Sequence, residues 1–91
     1  MDAYLIIEFG PGAGYTTVTM AKALDENNIE GHINSYDIWD DKYWGKQTIT
    51  QIEYDAWSVS RFITLENLDF FDWVKKPTEF DFMYFDINNT S

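Results

Sequence analysis

The residues with the clearest potential for chemistry lie near the start of the chain, in the segment EFGPGAG at positions 8–14. Gly10, Gly12 and Gly14 alternate with other residues behind the carboxylate of Glu8. Glycine lets the backbone approach a ligand closely, and the first N–H groups of a following helix can bind polar groups. The segment therefore predicts a ligand-binding turn between a strand and a helix, although such a turn can also be purely structural.

The spacing of the glycines disfavours two common phosphate-binding loops. A Walker A loop ends in Gly-Lys-Ser/Thr, whereas Gly14 is followed by Tyr15 and Thr16. The dinucleotide fingerprint has its third glycine at the sixth position of the motif, which is Tyr15 here. The carboxylate of Glu8 would also oppose a pyrophosphate, and it favours a ligand that carries an amino group and a sulfonium.

Three further carboxylates follow later apolar segments. Asp37 ends HINSYD, Asp69 follows FITLENL, and Asp86 follows FDFMYF. Taken alone, Asp37 could be a helix N-cap or a solvated loop residue, and Asp69 could be an ordinary helix cap. Asp86 could be a solvated, catalytic or metal-binding group.

The hydrophobic pattern predicts the elements that hold these residues. Val18, Ala21 and Leu24 lie at three-residue steps and indicate an amphipathic helix that ends near DENN. Predicted strands are YLIIEF (4–9), HINSYD (32–37), FITLEN (62–67) and EFDFMYFDI (79–87), with a helix from roughly Tyr43 to Ser60 and a short helix in LDFFDWV. This alternation predicts one α/β domain over residues 1–91, with a mostly parallel sheet of about four strands covered by helices.

Composition narrows the classes of function. Six basic and 16 acidic residues give a net charge of -10, which disfavours nucleic acid as a partner. Cysteine is absent, which excludes disulfides and thiolate metal sites and fits the cytoplasm. The apolar runs are only a few residues long and predict neither a membrane span nor a signal peptide. We therefore expect a cytoplasmic protein without membrane contact.

The loop and the segments after it resemble class I S-adenosylmethionine-dependent methyltransferases. EFGPGAG matches the acidic-x-Gly-x-Gly-x-Gly loop of that family. The resemblance implies a Rossmann-like three-layer sandwich that binds S-adenosylmethionine. It also implies that Glu8, Gly10, Gly12 and Gly14 belong to the cofactor site.

The same resemblance assigns roles to later residues. Asp37 would hold the ribose hydroxyls, and Ile38 would pack against adenine, with Trp39 either beside it or in the core. Asp69 would lie near the adenine amino group with Phe70 beside it. Asp86 would lie beside the methyl donor and the acceptor. It would act as a general base or, for a catechol-like acceptor, as a metal ligand. We assign no metal ligand among the other residues.

The expected function is methyl transfer to a small-molecule acceptor. The alternative is a noncatalytic nucleotide-binding or interaction module with the same fold. Because the resemblance covers nearly all 91 residues but about half of the family's usual fold, we expect an incomplete domain. The strand predicted at 79–87 has no lysine or proline to protect an open edge, so we also expect self-association through this fourth strand.

Overall fold

The computed structural model describes residues 3–39 and 47–85, in which strands and helices alternate along the chain. The elements are β1 (Tyr4–Phe9), α1 (Tyr15–Glu26), β2 (Gly31–Asp37), α2 (Gln47–Asp55), a 3-10 turn (Ser60–Phe62), β3 (Ile63–Asn67), α3 (Phe70–Lys75) and β4 (Phe82–Phe85). The predicted α/β class is confirmed.

The four strands form one sheet in the order β3-β2-β1-β4, and every pair is parallel. Phe9 of β1 lies opposite Tyr36 of β2 on one side and opposite Phe85 of β4 on the other. Asp37 of β2 lies opposite Asn67 of β3. Among the described strands, β1 is thus an inner strand, β2 and β3 follow outward on one side of it, and β4 lies on its other side.

Helices cover both faces of this sheet. Because successive side chains of a strand point to opposite faces, β1 contributes to a core cluster on each side. Ile6 packs against the core cluster that α1 and α2 form over one face. Ile7 and Phe9 belong to a second cluster, which includes Trp73 of α3 on the other face. The parallel sheet and its flanking helices make a three-layer arrangement of a partial Rossmann-like kind.

The helix predicted from roughly Tyr43 to Ser60 is shorter at its C-terminal end. α2 ends at Asp55, and residues 43–46 lie outside the described ranges. Beyond it, the N–H groups of Trp57 and Val59 donate to carbonyls three residues earlier, in the tighter pattern common at helix ends. Val59 is nonetheless buried in the core. The apolar stripe predicted correctly that Val59 is buried, but tight turns place it in the core without a continuous helix.

The last predicted strand is also shorter than 79–87. β4 begins at Phe82, and Asp81 lies in a bend directly before it. The Asp81 carboxylate accepts the N–H of Leu5 at 2.8 Å, and its own N–H donates to the Leu5 carbonyl at 2.9 Å. Positions 86 and 87 lie outside the described residues. Within the described ranges, no helix has the length and apolar character needed to cross a membrane.

Candidate functional site

The carboxyl ends of β1, β2 and β3 meet at one edge of the sheet. The N–H of Gly10 donates to the Tyr36 carbonyl at 3.0 Å, and the N–H of Leu68 donates to the Asp37 carbonyl at 3.1 Å. These bonds bring the glycine loop, the end of β2 and the connection from β3 to α3 together. Open parallel sheets bind their ligands beyond this edge, which makes it the candidate site.

The glycine loop has a backbone that other residues rarely adopt. Gly10, Gly12 and Gly14 have positive φ values of 81°, 55° and 83°. Gly14 is the N-cap of α1, and a Cβ atom there would lie 2.6 Å from Cγ1 of Ile52 in α2. Glycine is therefore required at position 14 for the backbone conformation and for the approach of α2.

Asp37 joins the end of β2 to the glycine loop. Its Oδ2 accepts the N–H of Gly12 at 2.7 Å, and its Oδ1 accepts the N–H of Ile38 at 2.7 Å. The carboxylate is partly buried. Since each carboxylate oxygen has two lone pairs, one hydrogen-bonding position remains on each oxygen for a ligand.

Ile38 and Trp39 follow Asp37 but differ in their surroundings. Ile38 is partly buried beside Asp37, and its contact with adenine stays a prediction. Trp39 is fully buried in the core cluster of α1 and α2. Its indole N–H donates to the Gly12 carbonyl at 2.8 Å, and its backbone N–H donates to Oδ1 of Asn67 at 2.9 Å. Of its two predicted positions, the structure places Trp39 in the core.

Glu8 lies beneath the loop and is 0% exposed. Its carboxylate accepts hydrogen bonds from the hydroxyl of Thr17 in the first turn of α1 and from that of Ser35 in β2, the latter at 2.8 Å. Both hydroxyl residues are also fully buried. In this conformation Glu8 joins β1, β2 and α1, and its burial leaves it no direct contact with a ligand on the surface.

Asp69 and Phe70 lie where β3 leads into α3. Asp69 is the N-cap of α3 and is exposed, with its carboxylate 3.4 Å from the N–H of Phe71. The ring of Phe70 packs edge-on against Phe9 and Phe85, with centroids 5.1 and 5.0 Å away. Capping and aromatic packing account for both residues, and their contacts with adenine stay predictions.

Asp86, the predicted catalytic residue, lies outside the described residues. The last described residue of β4, Phe85, is opposite Phe9, so β4 reaches the same edge as the glycine loop. Among residues 3–39 and 47–85, no group of three or more His, Asp or Glu side chains is arranged to hold a metal ion.

Sequence patterns did not single out a cavity of about 670 Å³ between the loop and α2. Most residues of its lining carry a polar group, but carbon atoms form most of the lining surface; the residues are Ala13, Tyr15, Gln47, Thr48, Thr50, Gln51, Tyr54 and Asp55. Neither Asp37 nor Ile38 lines it. The periodicity of α2 indicates only its apolar face, so the polar residues on the other face gave no signal.

No protein-family model, curated protein or solved structure matches this chain. The structure brings Gly10, Gly12, Gly14, Asp37 and Ile38 together at the sheet edge, and it places Glu8 beneath them.

Proposed function

We propose that the chain binds S-adenosylmethionine and S-adenosylhomocysteine at this edge and serves methyl transfer to a small-molecule acceptor. One observation carries the proposal: the Asp37 carboxylate lies 2.7 Å from the Gly12 N–H, where the ends of β1 and β2 meet. A carboxylate in this position can hold the loop and a sugar diol at the same time.

The geometry of Asp37 supports a ribose ligand. A vicinal diol supplies two O–H donors, and each Asp37 oxygen keeps one acceptor position after its bond to the backbone. Hydrogen bonds to an ionised carboxylate are roughly twice as strong as neutral ones. Ile38 then offers an apolar contact to a base attached to that ribose.

Glu8 supports a ligand without phosphate at the loop. Its partner Thr17 lies in the first turn of α1, so the buried carboxylate stands close to the helix N-terminus. Helix N-termini attract anions, and a Glu8 carboxylate in its ionised form would offset that attraction. A pyrophosphate would meet this charge, whereas a ligand with a sulfonium and an amino group would not be repelled.

S-Adenosylmethionine would supply a methyl group already activated by its sulfonium. The residues of the chain would then mainly need to align the acceptor with that group, and alignment alone can contribute several kcal/mol to catalysis. Asp86 is the proposed general base, which would take the proton of a hydroxyl or amine acceptor. A catechol-like acceptor would instead use Asp86 as a metal ligand.

A noncatalytic nucleotide-binding or interaction module is the second candidate. Exposed aromatic side chains favour it: Phe71 of α3 and Phe82 of β4 are 70% and 54% exposed. Surfaces of this kind occur where proteins bind partners. Such a module would use the same nucleoside site without transferring a methyl group.

Calorimetric titration with S-adenosylmethionine, S-adenosylhomocysteine and NAD tests the proposal. We expect both S-adenosyl ligands to bind and NAD to bind more weakly. Formation of S-adenosylhomocysteine in the presence of catechol, phenol or amine acceptors would support transfer, and binding without turnover would support the noncatalytic module. Absence of binding, or preferential binding of NAD, would contradict the proposed site.

A further inference from the structure

Both backbone polar groups of Gly12 are hydrogen-bonded to residues that follow or end β2. Its N–H donates to Asp37 at 2.7 Å, and its carbonyl accepts the indole N–H of Trp39 at 2.8 Å. Trp39 is in turn held by Asn67 at the end of β3, at 2.9 Å. The orientation of Gly12, with its φ of 55°, is therefore fixed from both sides.

Burial makes the hydrogen bond from the Trp39 indole to Gly12 more important for the conformation of the loop. Trp39 is fully buried, and Gly12 is buried as well. In such surroundings, loss of the indole N–H would leave the Gly12 carbonyl without that partner, which costs more than an exposed hydrogen bond. Trp73 differs from Trp39 in this respect: it is also buried, at 7% exposed, yet its indole N–H has no hydrogen-bond partner among the described residues.

The fixed orientation has a consequence for the ligand. In dinucleotide-binding loops the second glycine lets the backbone approach the pyrophosphate closely. The second glycine of this loop is Gly12, and its N–H is already directed at the carboxylate of Asp37. A phosphate at this position would lose that donor and would face the negative charge of Asp37.

We infer that Trp39 is a positioning residue that determines specificity: by fixing Gly12 towards Asp37, it selects nucleosides without phosphate over nucleotides that carry it. The inference deepens the proposed function and depends on it for the identity of the ligand. Without the indole bond, Gly12 can turn its N–H away from Asp37 and towards a phosphate. Asp37 then loses part of the support that holds it ready for the ribose.

The first test uses the ligand-free protein. Trp39→Phe removes the indole N–H, and Trp73→Phe is the matched control, since it removes a similar buried volume and an N–H without a described partner. In ¹H–¹⁵N spectra, we expect the Gly12 amide proton to move upfield and to exchange faster in Trp39→Phe only. The same Gly12 signal in both variants would overturn the inference.

The second test measures binding of S-adenosylhomocysteine and NAD to the same proteins. In Trp39→Phe we expect S-adenosylhomocysteine to bind about tenfold more weakly, which is the change expected from one lost hydrogen bond. The ratio of its affinity to that of NAD should fall by at least the same factor. Trp73→Phe should keep the wild-type preference. An equal preference in the two variants would overturn the role of Trp39.

Asn67→Ala provides a second variant if Trp39→Phe does not fold. Asn67 is exposed, and its removal releases the backbone of Trp39 without changing the core. We expect the Gly12 amide signal and the affinity ratio of S-adenosylhomocysteine to NAD to change in the same direction as in Trp39→Phe, but by less. No change in either quantity would overturn the inference. If wild-type protein binds no S-adenosyl ligand while the Gly12 signal still depends on Trp39, the proposed function fails but the positioning of Gly12 stands.

Discussion

At the scale of single residues, the carboxylate of Asp37 has two tasks, to hold Gly12 and to accept a ribose. Asp37→Ala removes both charge-assisted bonds to the diol, so S-adenosylhomocysteine binding should weaken by about 2 to 4 kcal/mol. Asp72→Ala is the matched control, because Asp72 is exposed and pairs only with Lys75 at 3.2 Å among the described contacts. Titration calorimetry measures both, and unchanged affinity in Asp37→Ala would contradict the ribose assignment.

Gly14 combines an unusual backbone with close packing. Gly14→Ala should lower the free energy of unfolding by about 2 to 4 kcal/mol, because the new Cβ adds a positive-φ penalty to a clash with Ile52. Gly31→Ala is the control: Gly31 has no positive φ, and its Cβ would lie 3.2 Å from Leu24 and from the Tyr4 carbonyl oxygen, farther than the 2.6 Å at Gly14. Urea denaturation compares them. An unchanged free energy of unfolding in Gly14→Ala would mean that neither the φ of Gly14 nor the contact with Ile52 matters.

The sequence predicted the positions of residues at the ends of strands more reliably than the hydrogen bonds between them. Asp37 was placed correctly because a carboxylate that ends a strand must lie at the sheet edge. The bond from Trp39 to Gly12 links positions 27 residues apart, and the bond from Ser35 to Glu8 spans the same separation. Such contacts depend on how two strands approach each other, which the local pattern of either segment does not specify.

At the scale of elements, the junction of β1, β2 and α1 depends on a buried polar cluster. Thr17→Val keeps the shape of the side chain but removes a hydroxyl that donates to Glu8. We expect stability to fall by about 1 to 3 kcal/mol, the cost of removing one partner of a buried polar group. Thermal and urea unfolding would measure the loss.

Thr19→Val is the control for this cluster. Thr19 lies in the same helix but is exposed, and its hydroxyl bonds to the carbonyl of Tyr15 at 2.8 Å. Its replacement should change stability by no more than about 0.5 kcal/mol. If the two threonine variants have the same stability, the buried cluster does not hold α1 on the sheet.

The elements themselves were predictable where apolar runs end at turn residues. YLIIEF between polar and glycine residues gave the bounds of β1, and the stripe through Val18, Ala21 and Leu24 gave α1. The end of α2 was wrong because buried residues after Asp55 continue a helical spacing within tight turns. The start of β4 was wrong because the Asp81 carboxylate accepts the N–H of Leu5, which a backbone carbonyl would accept in a longer strand.

At the scale of the whole molecule, β4 is one of the two edge strands of the described sheet, and β3 is the other. The side chains of β4 include Phe82 and Phe85, which are more than half exposed, and none of its four residues carries a charge. Uncharged, apolar edge strands pair readily with other chains. We expect the protein to associate through β4 as its concentration rises.

Phe82→Lys tests this association, because a lysine on an edge strand opposes pairing. Phe71→Lys is the control, since it places the same charge on an exposed position of α3. Sedimentation velocity over a range of concentrations should show a monomer for Phe82→Lys and association for the wild type and Phe71→Lys. A wild-type monomer at every concentration would rule out association through β4.

The most direct test of the central claim, that a nucleoside binds between the glycine loop and the end of β2, is to map S-adenosylhomocysteine binding in ¹H–¹⁵N spectra. We predict that the largest shifts occur at Gly10, Gly12, Gly14 and Ile38, with smaller ones along the polar face of α2. Saturable shifts of this pattern would locate the ligand at the sheet edge. Shifts confined to the cavity beside α2, or none at saturating ligand, would contradict the claim.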